Sequence, residues 1–270
     1  MGVAAARRLR LAADLAATGS RGVRRVSRWG EDWLLPEWPV PANVRACVTT
    51  RRGGVSRAPF DSFNLGDHVG DEPAAVSWNR QHLQDVLGCR PVWLEQVHSS
   101  VAVQAAAGNR ATADASWSET PGLACAVLTA DCLPVLFCDR AATRVAAAHA
   151  GWRGLAGGVL EATLEALAVP AGEVLAWLGP AIGPAVFEIG PEVREAFLAQ
   201  HPAAAAAFVP SVNAGRFMAD LYQLARIRLA AVGVHAVYGG GLCTFSDARF
   251  YSYRRASRTG RFASLIWLAP

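Results

Sequence analysis

The chain has 270 residues, 52% hydrophobic and 18% charged, which supplies a sizeable core and excludes wholesale disorder. Its net charge of +4 is uneven. Arg7, Arg8, Arg10, Arg21, Arg24, Arg25 and Arg28 stand against Asp14 in the first 29 residues, so the body is slightly acidic and is not a nucleic-acid binder by charge. No apolar run approaches the roughly 20 residues of a membrane span, and six cysteines without a CxxC pair fit reduced thiols in a cytoplasm.

In chain order, residues 1–30 read as a basic, disordered extension, because Asp14 interrupts the apolar stretch that a targeting segment needs. Residues 31–270 read as one domain. "EDWLLPEWPVP" (31–41) is a proline-punctuated lead-in. "VRACVT" (44–49) alternates like a strand and enters the turn "RRGGVS". The pattern of 72–88 predicts a helix with Pro73 in its first turn and Gly88 as its stop. Strands are expected at 92–103, 123–129, 135–138 and 144–149. Leu155, Val159, Leu160, Thr163, Leu164 and Leu167 recur at helical spacing. A strand at 174–179, helices near 191–200 and 217–231, and strands at 234–239 and 262–268 complete an α+β pattern without a linker.

The stretch "VLTADCLPVLFCDRAATRVAAAHAGWRG" (127–154) carries the most information. Pro134 lacks the donor a central strand requires, so "TADCLP" is expected as a loop or bulge. The runs 135–138 and 144–149 form a hairpin across "DRAAT". A four-residue turn places Cys132 opposite His149, and a five-residue turn places it opposite Ala150. Either register brings Cys132 and His149 to facing edges at the hairpin's open end. Two chemistries then stay open: a thiolate nucleophile held by histidine, or a metal site needing a third ligand. His98 in "LEQVHSS", expected in a strand, is the leading third ligand. His68 in "GDHVGD" reads as a turn residue, and His82, His201 and His235 are weaker still.

These residues belong to a wider pattern. "TTRRGGVSRAPFDSFNLGDHVGD" (49–71), "LEQVH" (94–98), "TADCLPV" (129–135), "HAGWRG" (149–154), "GPAIGP" (179–184) and "CTFSDARFYSYRR…TGR" (243–261) resemble the YfiH-like, or laccase-domain, family from about residue 33 to the C-terminus. The resemblance implies mixed β-sheets flanked by helices in a single domain, a fold also seen in a cysteine–histidine toxin hydrolase. It implies a zinc site at His98, Cys132 and His149, with copper taken up adventitiously. It also implies phosphorolysis of adenosine, inosine and methylthioadenosine to base and ribose 1-phosphate, together with adenosine deamination. Some members have been described as copper-dependent polyphenol oxidases and others as editors of peptidoglycan precursors. Ser99 stands where the family usually has glycine, and "YRRASRTGR" lacks a usual acidic residue.

Phosphorolysis requires an anion cradle, for which Arg51, Arg153, Arg254 and Arg255 are candidates. Trp152 is placed to pack on a purine. Asn64 is a candidate ribose or base contact, and also a turn cap. Asp131 is the carboxylate nearest Cys132 and the candidate acid or base, or else a residue that orients its loop. The alternatives are a metal-free cysteine–histidine hydrolase and a structural zinc closed by Cys125, Cys138 or Cys243. The expected partners are a nucleoside and phosphate, with no nucleic acid or membrane, in a monomer or homodimer.

Overall fold

Apolar runs too continuous for a half-exposed strand are buried on both faces here, and they set the layering. The computed structural model describes residues 23–25, 33–108 and 110–270. The strands in chain order are β1 (Val23–Arg25), β2 (Leu34–Pro36), β3 (Val44–Val48), β4 (Arg90–Val92), β5 (Ala102–Gln104), β6 (Ala115–Ser118), β7 (Leu123–Thr129) and β8 (Leu133–Asp139). They continue with β9 (Val145–Ala150), β10 (Val174–Leu178), β11 (Glu188–Ile189), β12 (Phe208–Pro210), β13 (Phe217–Ala219), β14 (Ala236–Gly239) and β15 (Phe262–Leu268). The helices are α1 (Pro73–Leu87), α2 (Trp152–Gly157), α3 (Val159–Leu167), α4 (Pro191–Leu198) and α5 (Leu221–Ala231).

A first mixed sheet has the order β1-β2-β3-β15-β7-β4 and a second has β14-β10-β8-β9-β6-β5; β11, β13 and β12 form a small third sheet. Alternation assigns the faces. On β7, Cys125 and Val127 pack with Leu136, Cys138, Val145, Ala147 and Trp177 of the second sheet, whereas Ala124, Ala126 and Leu128 pack with Leu83 and Leu87 of α1. The outer face of the second sheet (Val135, Phe137, Ala146, Ala148) lies under α2, α3 and α5. The order is therefore helix, sheet, sheet, helices, as an α+β domain of mixed sheets predicts. No helix among the described residues is long and apolar enough to cross a membrane.

Several boundaries differ from the sequence pattern for identifiable reasons. The expected strand 92–103 is two short strands, β4 and β5, around a loop, because the backbone N–H groups of Val97, His98 and Ser99 donate to the Asp114 carboxylate instead of to a ladder. His98 is thus a loop residue. The helix expected from 217 starts at Leu221, where Asp220 caps it through Tyr222 N and Gln223 N; Phe217–Ala219 is β13. The lead-in 31–41 contains β2. The helix after "HAGWRG" is divided at Gly158, whose φ of 97° suits only glycine. Within the expected disordered extension, residues 23–25 form β1 against β2, and the remainder of 1–30 lies outside the described residues.

The hairpin forms in a register neither turn length anticipated. Cys138 pairs with Val145 and Pro134 with His149, around a wider turn in which Asp139 accepts from Thr143 N, Thr143 Oγ1 and Arg144 N. Pro134 lies within β8 and not in a loop. It sits near the strand's start, beyond the last β8–β10 pair, where its carbonyl accepts from Gly179 N and no donor is needed. Extending the register one step puts Cys132 across from Gly151. Cys132 and His149 are then diagonal neighbours on one face, the face turned toward the first sheet.

Candidate metal centre and its cleft

The three candidate ligands arrive from different elements and meet at the open end of the seam between the sheets. The ligand atoms of His98, Cys132 and His149 all lie within 4.8 Å of one another. Cys132 Sγ is 3.7 Å from His98 Nε2, and the two imidazole centroids are 4.8 Å apart. Sulfur and nitrogen ligands at roughly 2.3 and 2.1 Å on a tetrahedral ion stand about 3.6 Å apart, so this pair has the span of two vertices. Gly151 is required beside them: a Cβ there would be 2.9 Å from both Cys132 Sγ and His98 Cδ2.

Asp114 organises the group. Fully buried, it accepts from His149 Nδ1 at 2.8 Å, His98 N at 3.0 Å, Ser99 N at 2.6 Å and Ser99 Oγ at 2.8 Å. It fixes the His149 tautomer with Nδ1 protonated, leaving Nε2 as the ligand atom, an arrangement typical of metal-binding histidines. Burial alone raises a carboxyl's pKa. The hydrogen bonds and the charge of His149 reverse that and hold Asp114 at about 2. The same coupling acts on Cys132: burial opposes ionisation, but His149 and His98 bring its pKa down to about 6. His149 rises to about 9, since Cys132 and Asp114 outweigh its own burial. Without metal, the pair favours thiolate and imidazolium. One soft sulfur and two imidazoles, pre-aimed and carboxylate-backed, fit zinc or copper. No fourth protein ligand joins the group among the described residues, which fits a site with an open position. Cys125 and Cys138 are buried in the seam with raised pKa values, and Cys243 instead accepts from Gly183 N.

A cleft of about 450 Å³ opens over the trio, lined also by His68, Gln96, Thr129, Asp131, Trp152, Arg153, Ile182, Phe187, Tyr253, Arg254 and Arg261. Such a volume suits a small organic ligand. His98 and Asp131 at its floor carry φ of 61° and 93°, conformations uncommon for residues with a Cβ.

The other expected site residues divide. Arg153 and Arg254 line the cleft. Arg153 stacks 4.4 Å over the Trp152 ring, and Arg254 donates to Val186 O and Glu188 O. Asp131 lines it too, and its two oxygens accept from Thr244 Oγ1 and Arg254 N at 2.6 Å each, which ties two loops together at the cleft. Arg51 is elsewhere, paired with Asp61 at 3.0 Å. Arg255 donates to the carbonyls of Thr244, Phe245 and Phe250 and does not line the cleft. Asn64 is fully buried: it accepts from Gly66 N and Arg261 N and donates to Gly66 O and Asp71, which makes it a strut. Sequence reasoning missed Asp114, Thr129, Phe187 and Arg261, and set His68 aside as a turn residue. The strongest available signal was Asp114 itself, an acid at the entrance to the short, largely buried strand "ASWS".

Residues 45–269 match the family described as multi-copper polyphenol oxidoreductase laccase. The chain belongs to that family. It is 69% identical over 237 residues to a protein of Pseudomonas aeruginosa named purine nucleoside phosphorylase, covering 87% of this chain and 98% of that one. It is 55% identical over 240 residues, with the same coverages, to the Escherichia coli protein named purine nucleoside phosphorylase YfiH. Among solved structures, a Neisseria meningitidis protein superimposes with a TM-score of 0.87 at 54% identity, covering 89% of this chain and 100% of that one. YlmD of Geobacillus stearothermophilus follows at 0.81 and 29% identity, covering 92% and 99%. The resemblance read from the motifs and the fold it implied are thereby confirmed.

Proposed function

We propose that this protein catalyses phosphorolysis of purine nucleosides (adenosine, inosine and methylthioadenosine) to free base and ribose 1-phosphate, and also deaminates adenosine, with zinc at His98, Cys132 and His149. The observation that carries this reading is the convergence of the His–Cys–His group with three arginines and a tryptophan on one cleft. Names given to relatives aligned over nearly their whole length support its phosphorylase part.

In phosphorolysis a phosphate oxygen bonds to C1′ of the ribose as the C1′–N9 bond breaks, and the purine leaves with the electron pair and takes up a proton. Arg153, Arg254 and Arg261 make the cleft cationic for phosphate, and preorganised donors of that kind stabilise developing negative charge. Trp152 and Phe187 offer apolar surface to the base. Asp131 and Gln96 hold the floor in shape; the Gln96 amide donates to Leu128 O and accepts from Leu128 N. His98, Cys132 and His149 would hold the zinc, which when bound would supply a fixed positive charge and the acidity that deamination at purine C6 requires of a water.

Copper-dependent oxidation has less support. One group of three ligands among the described residues is far fewer than a multicopper oxidase needs. The working assembly is a monomer or homodimer acting on small molecules in the cytoplasm.

The test is release of hypoxanthine from inosine, with metal analysis of the same preparation, in the natural protein and in Cys132→Ala. The expected result is one zinc per chain and product that requires both phosphate and Cys132. Release that ignores phosphate, or an undiminished Cys132→Ala, overturns the reading.

A further inference from the structure

The cleft draws its lining from both sheets, and the two contributions are chemically unlike. From the second sheet come Trp152 and Arg153 after β9, Ile182 after β10, and the nearby Phe187: largely apolar and aromatic surface. From the first sheet come Thr129 at the end of β7, Arg261 just before β15, and His68 on a loop that packs against Arg261. Thr129 pairs with Phe262 in the ladder, so Arg261 stands one step along the neighbouring strand from Thr129's partner, and both residues line the cleft. Asn64 ties the His68 loop to this end: it accepts from Arg261 N at 2.8 Å, and Leu65 N donates to Arg261 O at 3.0 Å. A Cβ on Gly66 would come within 2.8 Å of Arg261 Cγ, so loop and arginine are in tight contact.

Two groups at this end keep donors without a partner among the described residues. Thr129 Oγ1 is buried, 1% of the residue is exposed, and the hydroxyl makes no hydrogen bond to them. Thr129 lies on the same face of β7 as Cys125 and Val127, the face turned into the seam where the cleft opens. A buried hydroxyl with no partner costs free energy unless a ligand or water satisfies it. Arg261 donates only through one terminal nitrogen, to Thr259 O and Gly260 O, and makes no ion pair among the described residues. Its remaining N–H groups are uncommitted. The other candidates for an anion cradle are less suited. Both terminal nitrogens of Arg254 are used on carbonyls, Arg255 is used on three, Arg51 is paired with Asp61, and Arg153 lies over the Trp152 ring.

We propose that Thr129 and Arg261, with His68 beside them, form the inorganic phosphate subsite, leaving the Trp152–Phe187 side to the purine. This rests on the phosphorylase reading for the identity of the anion and adds where it binds. Phosphate offers several acceptor oxygens, which matches a hydroxyl donor, the free edge of a guanidinium and an imidazole. His68 Nδ1 lies 3.7 Å from the Asp67 carboxylate, beyond hydrogen-bond distance, while Asp67 itself is held by Arg110 at 2.7 Å and Arg80 at 3.4 Å, so the imidazole keeps its N–H for an anion.

The experiment is calorimetric titration of inorganic phosphate into the metal-loaded full chain, with KM for phosphate and for inosine measured in parallel. The variants are Thr129→Val, Arg261→Gln and His68→Asn. Thr129→Val keeps shape and removes only a hydroxyl without a partner, so its melting temperature is expected to hold or rise. Phosphate affinity is expected to fall about tenfold or more, with the KM for inosine within about twofold. Arg261→Gln is expected to lose about a hundredfold in phosphate affinity and His68→Asn several-fold, with metal content unchanged. Phosphate binding to the natural protein that Thr129→Val and Arg261→Gln leave intact overturns this subsite while sparing the phosphorylase reading. A natural protein that neither binds phosphate nor cleaves inosine overturns both.

Discussion

The two ends of the ligand trio are built on opposite principles. Cys132 and His149 are carried by a hairpin whose strands are buried on both faces, so their placement follows from ladder register and the alternation of side chains. His98 stands on a loop with φ of 61° and no ladder, and its placement follows from one buried carboxylate that gathers its backbone N–H and that of Ser99. A strand positions a ligand by default; a loop needs a dedicated anchor. The anchor here also orients His149, so Asp114 joins the two ends.

Breaking this division at different points should give graded effects. The largest is expected from Cys132→Ala, which removes the sulfur ligand while leaving hairpin and seam intact. Phosphorolysis should fall by at least about a thousandfold, with metal content near zero and circular dichroism unchanged. Asp114→Asn should lower metal affinity by about 10- to 100-fold, read by competition with a chromogenic chelator, because the loop loses its anchor and His149 its backing. It should also destabilise the chain. The carboxyl's folded pKa is lowered from 3.8 to about 2, so its contribution is fully present above pH 3.8 and is lost as pH falls toward 2. That contribution is worth about 2 kcal/mol. In urea unfolding the gap between the natural protein and the variant should therefore narrow from pH 7 to pH 2.5 and close only below pH 2. A smaller loss, about tenfold in metal affinity with a melting temperature lowered by a few degrees, is expected of Gly151→Ala, whose methyl crowds Cys132 Sγ and His98 from the hairpin side.

In chelator-treated protein, the iodoacetamide reaction of Cys132 should rise with a midpoint near pH 6, followed by peptide mass mapping. Cys125, buried and shifted to about 12, should stay unlabelled over the same range. A midpoint for Cys132 near that of an ordinary thiol would show that His149 does not hold the thiolate. The least effect belongs to Arg153→Ala, a few-fold rise in KM for inosine as stacking over Trp152 is lost.

What the sequence made legible follows the same division. β7, β8, β9, β10 and β15 are apolar runs with clear ends, and α1 carries Pro73 and Gly88 at its limits; all were readable from periodicity and turn residues. Cys132 and His149 were readable as a pair because a hairpin constrains them even when the register slips by a residue. Asp139 shifted that register by bonding to Thr143 and Arg144, an interaction no turn-length count includes. His98 was identified as a ligand but assigned to a strand, since nothing near it in sequence announces that Asp114, 16 residues on, captures its backbone. Asn64, Arg51 and Arg255 looked like binding residues because amide and guanidinium groups serve surfaces and interiors equally. Only their partners decide, and here those are backbone carbonyls, Asp61 and a neighbouring loop. Thr129 and Arg261 were invisible for the converse reason: an unpartnered hydroxyl and a partly uncommitted guanidinium, judged among the described residues, appear only once the chain is folded.

The Asp114 cluster also bears on how the site is filled. Small zinc domains are assembled by their ion and collapse when it is removed. Here a carboxylate gathers the loop and the imidazole through bonds that involve no metal, so the ligands already stand in place when the ion arrives. Loading is thereby separated from folding. Treatment with a chelator is therefore expected to leave the far-UV circular dichroism of the chain unchanged.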